Sequence, residues 1–377
     1  MIIGISPVRL SFSGGGTDMP EFYDKYGGNV ITTSINRYTY SIFHPRYDSK
    51  FQTFSPDFER HIRPTKLSKI TIKNNPEIAL AAIKYLKYQK GTNVIVFSDV
   101  PGGSGLGASS SLAVNLVYSI SKLQGKKISN TKIAETAFHI GRNILKIPIG
   151  KQDEYIASFG GFNNIKFKKN NVSVNKIKIN KSTLNELQEN LMLFYIGDTR
   201  YSGTVLSKQL DKIKLKDKAI IKSLNQMKVL TEDMHYALKK NDLMKFAEIL
   251  HENWVRKKTF VTGISTDKID KIYEIARKSG AIGGKLTGAG GGGHMLFYCE
   301  RKNQSKIIKS FKKMKKGAEP DLYYEEVELD EGKFKKGDIV IPNMGPHKGD
   351  KHKIIHDFGD GSYNIKPLMH QRNIKYK

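Results

Sequence analysis

A glycine-rich run, set between a predicted strand and a predicted helix, constrains this chain more than any other feature. Four glycines fall within Gly102–Gly107, and three serines follow at Ser109–Ser111. The strand-like run Asn93–Phe97 precedes them, and apolar residues at helical spacing follow from Leu112. This order turns backbone N–H groups and the positive end of a helix dipole toward one spot, so we expect an anion, most often a phosphate, to bind there. A purely structural turn with serine helix caps accounts less well for this run than a phosphate site, because glycines cost backbone entropy and helix caps do not need them.

Two common phosphate loops do not fit this run. A Walker A loop needs Lys-Ser or Lys-Thr after its last glycine, whereas Gly107 is followed by Ala108 and Ser109. A dinucleotide loop needs an acidic residue about 20 residues further on for the ribose, and no Asp or Glu occurs between Asp99 and Glu135. The run therefore belongs to another class of phosphate site.

Length and charge limit the class of protein. The 377 residues are enough for two domains, and 38% hydrophobic residues are enough for packed cores despite a net charge of +27. The lysines are scattered, and no zinc-knuckle, RNP or helix-turn-helix motif occurs, so we expect no nucleic-acid partner. The charge is then either a lysine-rich surface or a basic field that attracts small anionic molecules.

Two further features concern the compartment. Cys299 alone cannot form an internal disulfide, and it follows the apolar run Met295–Tyr298, where a free thiol usually packs as a small hydrophobe. The chain begins without the basic segment and apolar core of a leader, and no stretch approaches ~18 consecutive apolar residues. We therefore expect a cytoplasmic protein with no membrane partner.

The pattern of elements predicts an α+β protein in three parts. Strand-like runs and glycine loops alternate over residues 1–180, and a helical pattern followed by a sheet occupies residues 181–332. Residues 333–377 combine Gly and Pro turns with short strand-like runs and predict a small β-rich module. The elements expected in the second part are helices from Leu184 to about Gly280, a strand at His294–Tyr298, a basic helix at Gln304–Met314 and a strand at Leu322–Leu329.

Three motifs in this order resemble those of the GHMP kinases, a family that includes galactokinase, homoserine kinase, mevalonate kinase and phosphomevalonate kinase. They are Ser6–Asp18, Pro101–Ser110 and Gly283–Gly293, so the resemblance spans residues 1 to about 330 and leaves out the tail. It implies a two-domain α+β fold, with an N-terminal domain like domain 2 of ribosomal protein S5 and a C-terminal ferredoxin-like domain of helices on a sheet. It also implies ATP and Mg²⁺ as cofactors.

Within this family the chain is most similar to the D-glycero-D-manno-heptose 7-phosphate kinases. The motifs that carry this similarity are Gly14–Asp18, Gly150–Tyr155 and Asp198–Ser202. They imply that ATP phosphorylates the anomeric hydroxyl of the heptose 7-phosphate to the 1,7-bisphosphate, for nucleotide-activated heptose in bacterial surface polysaccharide. Two alternatives stay open: another sugar 1-kinase, such as an L-fucose kinase, and a non-catalytic sugar- or nucleic-acid-binding protein on the same fold.

The resemblance also implies roles for individual residues. Asp153 would accept the proton of the sugar hydroxyl, and Arg9 would pair with Asp153 or with the transferring phosphate. Judged without the resemblance, Asp153 could be a turn residue and Arg9 a solvated strand residue. The residues expected to bind the nucleotide are Pro101, Gly103, Ser104, Gly105, Leu106, Gly107, Ala108, Ser109 and Ser110.

The sugar would be bound by the first and third motifs. Asp18 would orient the polyol by accepting hydrogens from two hydroxyls. Arg200 would face a second phosphate, although a surface arginine is the alternative, and Lys285 has the same ambiguity. The third motif is expected to allow close backbone packing near the nucleotide. The residues expected at the substrate are Gly15, Gly16, Thr17, Asp18, Arg200, Lys285, Gly288 and Gly290.

The metal site departs from the family pattern at Gly141. Family members usually carry a magnesium-binding glutamate at this position before the catalytic aspartate. Ser109 remains the predicted metal ligand through its hydroxyl. Either Asp153 and waters complete the shell, or Glu135 reaches over, or activity is reduced.

The tail contains three histidines that suggest a metal site. His347, His352 and His356 fit no standard ligand spacing, so we expect them to be solvated. The tail is a candidate contact for a partner, a glycan or a second subunit, which leaves a homodimer open.

Overall fold

The computed structural model describes residues 1–58, 60–72, 77–197, 202–314, 323–325, 328–329, 339–340, 352–357 and 363–367. The strands are β1 (Ile2–Ser13), β2 (Gly28–Pro45), β3 (Lys50–Ser55), β4 (Arg60–Lys66), β5 (Thr92–Ser98), β6 (Phe162–Lys168), β7 (Asn171–Lys176), β8 (Leu191–Tyr195), β9 (Gly283–Leu286), β10 (His294–Tyr298), β11 (Tyr323–Glu325), β12 (Ile339–Val340), β13 (His352–Asp357) and β14 (Tyr363–Pro367). The helices are α1 (Pro20–Tyr26), α2 (Ile78–Tyr85), α3 (Ala108–Leu123), α4 (Asn130–His139), α5 (Gln152–Phe159), α6 (Lys181–Asn190), α7 (Ser202–Lys214), α8 (Lys218–Lys239), α9 (Leu243–Lys258), α10 (Asp267–Lys278) and α11 (Arg301–Met314). Within these described ranges, no helix combines the length and the apolar character needed to cross a bilayer.

The first sheet has eight strands, in the order β12–β1–β2–β5–β3–β4, with β6 paired to β2 and β7 paired to β6. Side chains alternate along β1, so that Val8, Leu10 and Phe12 are buried in a hydrophobic core. Arg9 and Ser11 lie on the other side of the strand, where both bond to residues of α5. The alternation thus presents two polar side chains of a central strand to the start of a helix.

The second sheet has four antiparallel strands in the order β11–β8–β10–β9. Its core is formed with the helices, including Trp254 of α9, Phe297 of β10 and Phe311 of α11. A second core joins the two sheets, since it contains Phe12 of β1 together with Leu193 of β8 and Leu296 of β10. Phe12 also packs edge to face on Phe246 of α9, with ring centroids 5.3 Å apart. The predicted α+β class, with helices on a sheet in the second part, is confirmed.

One sequence prediction is wrong within this second part. The segment from Leu184 to about Gly280 was expected to be helical, but it contains β8 at Leu191–Tyr195. Five apolar residues follow one another there, and hydrophobic periodicity cannot distinguish such a short run in a buried strand from part of a buried helix. Pairing with β10 and β11 favours the strand over a helix, because it satisfies the backbone groups of β8 on both edges.

The tail contributes one strand to the first sheet. β12 pairs antiparallel with β1, with Ile3 opposite Val340 and Gly4 opposite Ile339. β13 and β14 form a two-stranded hairpin. The predicted β-rich character is therefore seen in the described tail residues, although β12 belongs to the main sheet. His347 lies outside the described residues.

A protein that ends at Gly332 is expected to fold, with a melting temperature within about 4 °C of the full chain. The described contact between tail and sheet is two residue pairs at a strand edge, whose hydrogen bonds contribute on the order of 1 kcal/mol each. Thermal unfolding followed by circular dichroism measures the difference. A loss of more than ~10 °C would mean that the tail is an integral part of the first domain.

Candidate active site

A cavity of about 850 Å³ lies between the glycine-rich run and the amino-terminal end of α5. Residues from all three glycine motifs line it, together with side chains from α5, α7 and α9. The fold thus brings together segments that are far apart in the sequence. The predicted site residues that line this cavity are Arg9, Gly15, Gly16, Asp18, Pro101, Gly103, Ser104, Gly105, Gly107, Ala108, Ser109, Ser110, Asp153, Lys285 and Gly288.

Arg9 and Asp153 form a two-pronged ion pair at the cavity wall. Arg9 Nε donates to Asp153 Oδ1 at 2.8 Å, and Arg9 Nη2 donates to Asp153 Oδ2 at 2.6 Å. The arginine side chain is 6% exposed and the aspartate side chain 22% exposed, so the carboxylate reaches the cavity while its cation is held behind it. A carboxylate fixed in this way is positioned to accept a proton from a bound hydroxyl.

Gln152 holds the carboxylate from a second direction. Ser11 Oγ donates to Gln152 Oε1 at 2.7 Å, and Gln152 Nε2 donates to Asp153 Oδ1 at 2.9 Å. The sequence reasoning gave Gln152 no role of its own, although its place beside Asp153 was a usable signal. Asp153 is therefore oriented by both β1 and its own helix.

The glycine-rich run ends directly against this ion pair. Gly107 precedes α3 with φ +76°, in the left-handed region. A Cβ at Gly107 would lie 3.0 Å from Asp153 Oδ2 and 3.3 Å from Arg9 Cζ. A glycine at this position therefore lets the positive end of α3 approach the carboxylate and any phosphate beside it.

The third motif packs its backbone against the second. A Cβ at Gly288 would lie 2.5 Å from Gly105 Cα, so the two glycines touch. The backbone N–H of His294 donates to the carbonyl oxygen of Ser104 at 3.1 Å. The close loop-to-loop approach expected for the third motif is present.

Asp18 also lines the cavity and is 7% exposed. The N–H of Gly16 donates to its Oδ1 at 3.0 Å, and the N–H of Gln152 donates to its Oδ2 at 3.1 Å. Burial and the neighbouring Asp153 carboxylate raise the pKa of Asp18. A side chain at position 150 would overlap this carboxylate, because a Cβ at Gly150 would lie 2.1 Å from Asp18 Oδ2.

Two buried lysines lie in the cavity wall. Lys257 of α9, which the sequence reasoning missed, donates to the carbonyl oxygen of Gly288. Burial, followed by the charge of Arg9, lowers the pKa of Lys257 to about 8. Lys285 is 1% exposed and donates to the carbonyl oxygens of Ser11 and Phe12. Burial and the charges of Lys257 and Arg9 lower the pKa of Lys285 well below its ordinary value.

Three residues predicted for the site do not line the cavity. The Thr17 hydroxyl donates to two backbone carbonyls at 2.8 and 3.0 Å and so stabilises its own turn. Leu106 is fully buried, because its side chain belongs to the hydrophobic core. Gly290 packs against Ile264, whose Cα would lie 2.8 Å from a Cβ at that position. Arg200 lies outside the described residues.

The contacts of Glu135 answer one open question on the metal, namely whether this residue reaches the cavity. Glu135 Oε1 accepts from Lys151 Nζ at 2.7 Å and from the Tyr155 hydroxyl at 2.5 Å, and Glu135 does not line the cavity. Glu154 is fully buried, and burial followed by the charge of Asp153 raises its pKa to about 8. Over the part of the chain that is described, no three His, Cys, Asp or Glu side chains form a metal-binding group.

The chain is similar to known proteins along most of its length. The family description "GHMP kinases N terminal domain" matches residues 77–161, and "GHMP kinases C terminal" matches residues 234–316. A D-glycero-alpha-D-manno-heptose 7-phosphate kinase from Campylobacter jejuni is 32% identical over 316 residues, which cover 82% of this chain and 92% of that protein.

Two more distant relatives extend the comparison. An L-fucokinase/L-fucose-1-P guanylyltransferase from Bacteroides fragilis is 23% identical over 80% of this chain, which spans 35% of that longer protein. A crystal structure of a D-glycero-D-manno-heptose 1-phosphate kinase from Bacteroides thetaiotaomicron superposes with a TM-score of 0.70 at 24% identity, covering 88% of this chain and 96% of that one, and shows a shared fold. Both domain matches, and the near-complete overlap with a relative at 32% identity, show that the chain belongs to the GHMP kinase family.

Proposed function

We propose that this kinase transfers the γ-phosphoryl group of ATP to the anomeric hydroxyl of D-glycero-D-manno-heptose 7-phosphate, which gives the 1,7-bisphosphate. The observation that carries the proposal is the Arg9–Asp153 pair set against Gly107 in a cavity that also holds Asp18 and Lys257. A general base, a phosphate loop and fixed cations thus meet at one place. The Campylobacter jejuni relative supports the choice of sugar.

The mechanism follows from the positions of these groups. ATP would lie with its phosphates against the N–H groups of Gly103–Ser110 and the start of α3. Asp153 accepts the proton of the anomeric hydroxyl as that oxygen bonds to the γ-phosphorus and the bond from phosphorus to the ADP oxygen breaks. Arg9 holds Asp153 in place and offsets negative charge on the transferring group.

The sugar would lie beside Asp18, at the side of the cavity lined by Gly15, Gly16 and Gln209. Asp18 accepts hydrogens from sugar hydroxyls, and a Cβ at Gly15 would approach no neighbour more closely than 4.0 Å, which leaves room for a seven-carbon sugar. Gln209 is 3% exposed, and its Nε2 makes no hydrogen bond with the described residues. A sugar hydroxyl or phosphate oxygen would satisfy that donor.

A magnesium ion fits the donors at the nucleotide end of the cavity. The Ser109 hydroxyl and the Asp153 carboxylate both line it, and Mg²⁺ in kinases is usually held by one or two such oxygens together with substrate phosphates and water. Bound there, the ion would neutralise charge on the ATP phosphates.

A panel of acceptors tests the proposed substrate. Purified full-length protein is incubated with Mg-ATP and, in turn, the heptose 7-phosphate, the unphosphorylated heptose, L-fucose and galactose, and ADP release is followed. The heptose 7-phosphate is expected to give a kcat/KM at least tenfold above every other acceptor. A higher value for L-fucose would support the alternative, a sugar 1-kinase related to the fucokinase, and no turnover on any acceptor would favour a binding protein.

Ser109→Ala is expected to raise the ATP KM or the Mg²⁺ concentration for half-maximal rate about tenfold, with little change in the sugar KM. The reason is that the hydroxyl would contact the metal or the phosphates and not the sugar. Initial rates with each component varied in turn provide the measurement. Equal changes in all three constants would point to a folding role for Ser109.

A further inference from the structure

Glu154 has no role in the proton transfer proposed above. It follows Asp153 in the first turn of α5 and is fully buried. Its Oε1 accepts a hydrogen bond from the Ser110 hydroxyl at 2.7 Å. Its Oε2 is also buried, and no hydrogen bond reaches it from any described residue. Leaving a buried carboxyl oxygen without a partner is costly, and a cation bound beside it would both satisfy that oxygen and favour its ionised form.

The surroundings of Glu154 supply room for such a ligand. A second cavity of about 20 Å³ has three polar lining residues, Ser109, Ser110 and Glu154, and is otherwise lined by Gly141 and four apolar side chains. It shares Ser109 and Ser110 with the wall of the main cavity. This volume is enough for one water molecule or a small ion and lies next to the hydroxyl expected to bind the metal.

Gly141 leaves space for Glu154 in this pocket. Any side chain at position 141 would begin here, since a Cβ would meet Ile149 Cδ1 at 2.8 Å. Gly141 and the carboxyl group of Glu154 therefore face one small cavity.

We propose that Glu154 is a protein ligand of the divalent cation, together with Ser109. This inference rests on the proposed use of ATP with a divalent cation. The carboxylate oxygen Oε2 is available for a cation, and a hard oxygen ligand beside a serine hydroxyl suits Mg²⁺ or Mn²⁺. Glu135, the other carboxylate considered for this role, is already paired with Lys151.

The test measures metal binding without turnover. Free Mn²⁺ is titrated by electron paramagnetic resonance in the presence of full-length protein and a non-hydrolysable ATP analogue. Glu154→Gln is expected to weaken Mn²⁺ binding at least tenfold. Glu135→Gln, which removes an equal charge from the Lys151 pair, is the matched control and is expected to change it less than threefold. Equal loss in both variants, or no loss in Glu154→Gln, would overturn the proposal.

A rescue variant separates loss of the carboxylate from a general disturbance caused by Glu154→Gln. Gly141→Glu supplies a carboxylate from another wall of the same cavity, and Ile149→Val removes the Cδ1 atom that the new Cβ would meet. Combined with Glu154→Gln, these changes are expected to restore Mn²⁺ affinity to within about fivefold of the natural protein. Affinity that stays more than tenfold lower contradicts the proposal. Because no sugar is present, a failure here is distinct from a failure of the heptose assignment.

Discussion

Asp153→Asn is expected to lower kcat by about 100-fold or more while leaving ATP affinity nearly unchanged. The substitution preserves the size of the side chain but removes the group that accepts the hydroxyl proton, a contribution of typically 10²–10⁴ in rate. It also replaces one partner of the Arg9 ion pair, so nucleotide affinity and the melting temperature must be measured along with turnover. Steady-state kinetics and equilibrium binding of an ATP analogue separate the two effects.

Asp24→Asn is the matched control for this variant, because it removes the same charge from an exposed aspartate. It is expected to behave as the natural protein. A kcat for Asp153→Asn within tenfold of the natural value, a loss under ~1.4 kcal/mol, would count against Asp153 as the base.

Lys257→Met is expected to lower kcat/KM about 10- to 100-fold, as is typical when a hydrogen bond to a charged group is lost. Lys257 is 6% exposed, lines the cavity and lies in the field of Arg9. Its pKa of about 8 adds a second readout, because only the protonated amine attracts a phosphate. In the natural protein kcat/KM should therefore fall as the pH rises through about 8, and that fall should be absent in Lys257→Met.

Lys258→Met is the control, because the neighbouring Lys258 instead pairs with Asp270, its Nζ 2.8 Å from Oδ1. Its loss should leave both kcat/KM and the pH profile unchanged. Lys257→Arg should keep a charge that does not titrate and so flatten the profile at high pH. A pH profile that is the same in Lys257→Met and in the natural protein would remove Lys257 from phosphate binding.

Sequence patterns predicted the strands near the site that carry a local signal. Val8–Phe12 alternates apolar and polar residues, as strands often do, and the apolar run His294–Tyr298 directly follows a run of glycines. β8 was missed because its apolar run has no period and follows the helix α6 without a break. The pairing of β12 with β1 was missed because it depends on contacts between residues more than 330 positions apart.

Site residues that belong to sequence motifs could be predicted from the sequence. Site residues that only packing distinguishes from similar neighbours could not. Arg9 and Asp153 were found through their motifs, and the fold brings them into contact. Lys257 lies in the run Arg256–Lys258 on a helix of a chain with 63 Lys and Arg residues, so only the packing of α9 shows which one faces inward. Glu154 reads in the sequence as an ordinary acidic residue in the first turn of a helix, and only its complete burial sets it apart.

The contact between Gly105 and Gly288 links nucleotide binding to the rigidity of two loops. It joins a loop that follows a strand of the first sheet to a loop that follows a strand of the second. A nucleotide held by the first loop would also restrain the second, and at 100 times its dissociation constant it would stabilise the folded chain by about 2.7 kcal/mol. Amide hydrogen exchange near Leu286 and His294 should then slow on nucleotide addition, although neither residue needs to touch the ligand. Nucleotide binding at one loop would in this way hold the two sheets together more firmly.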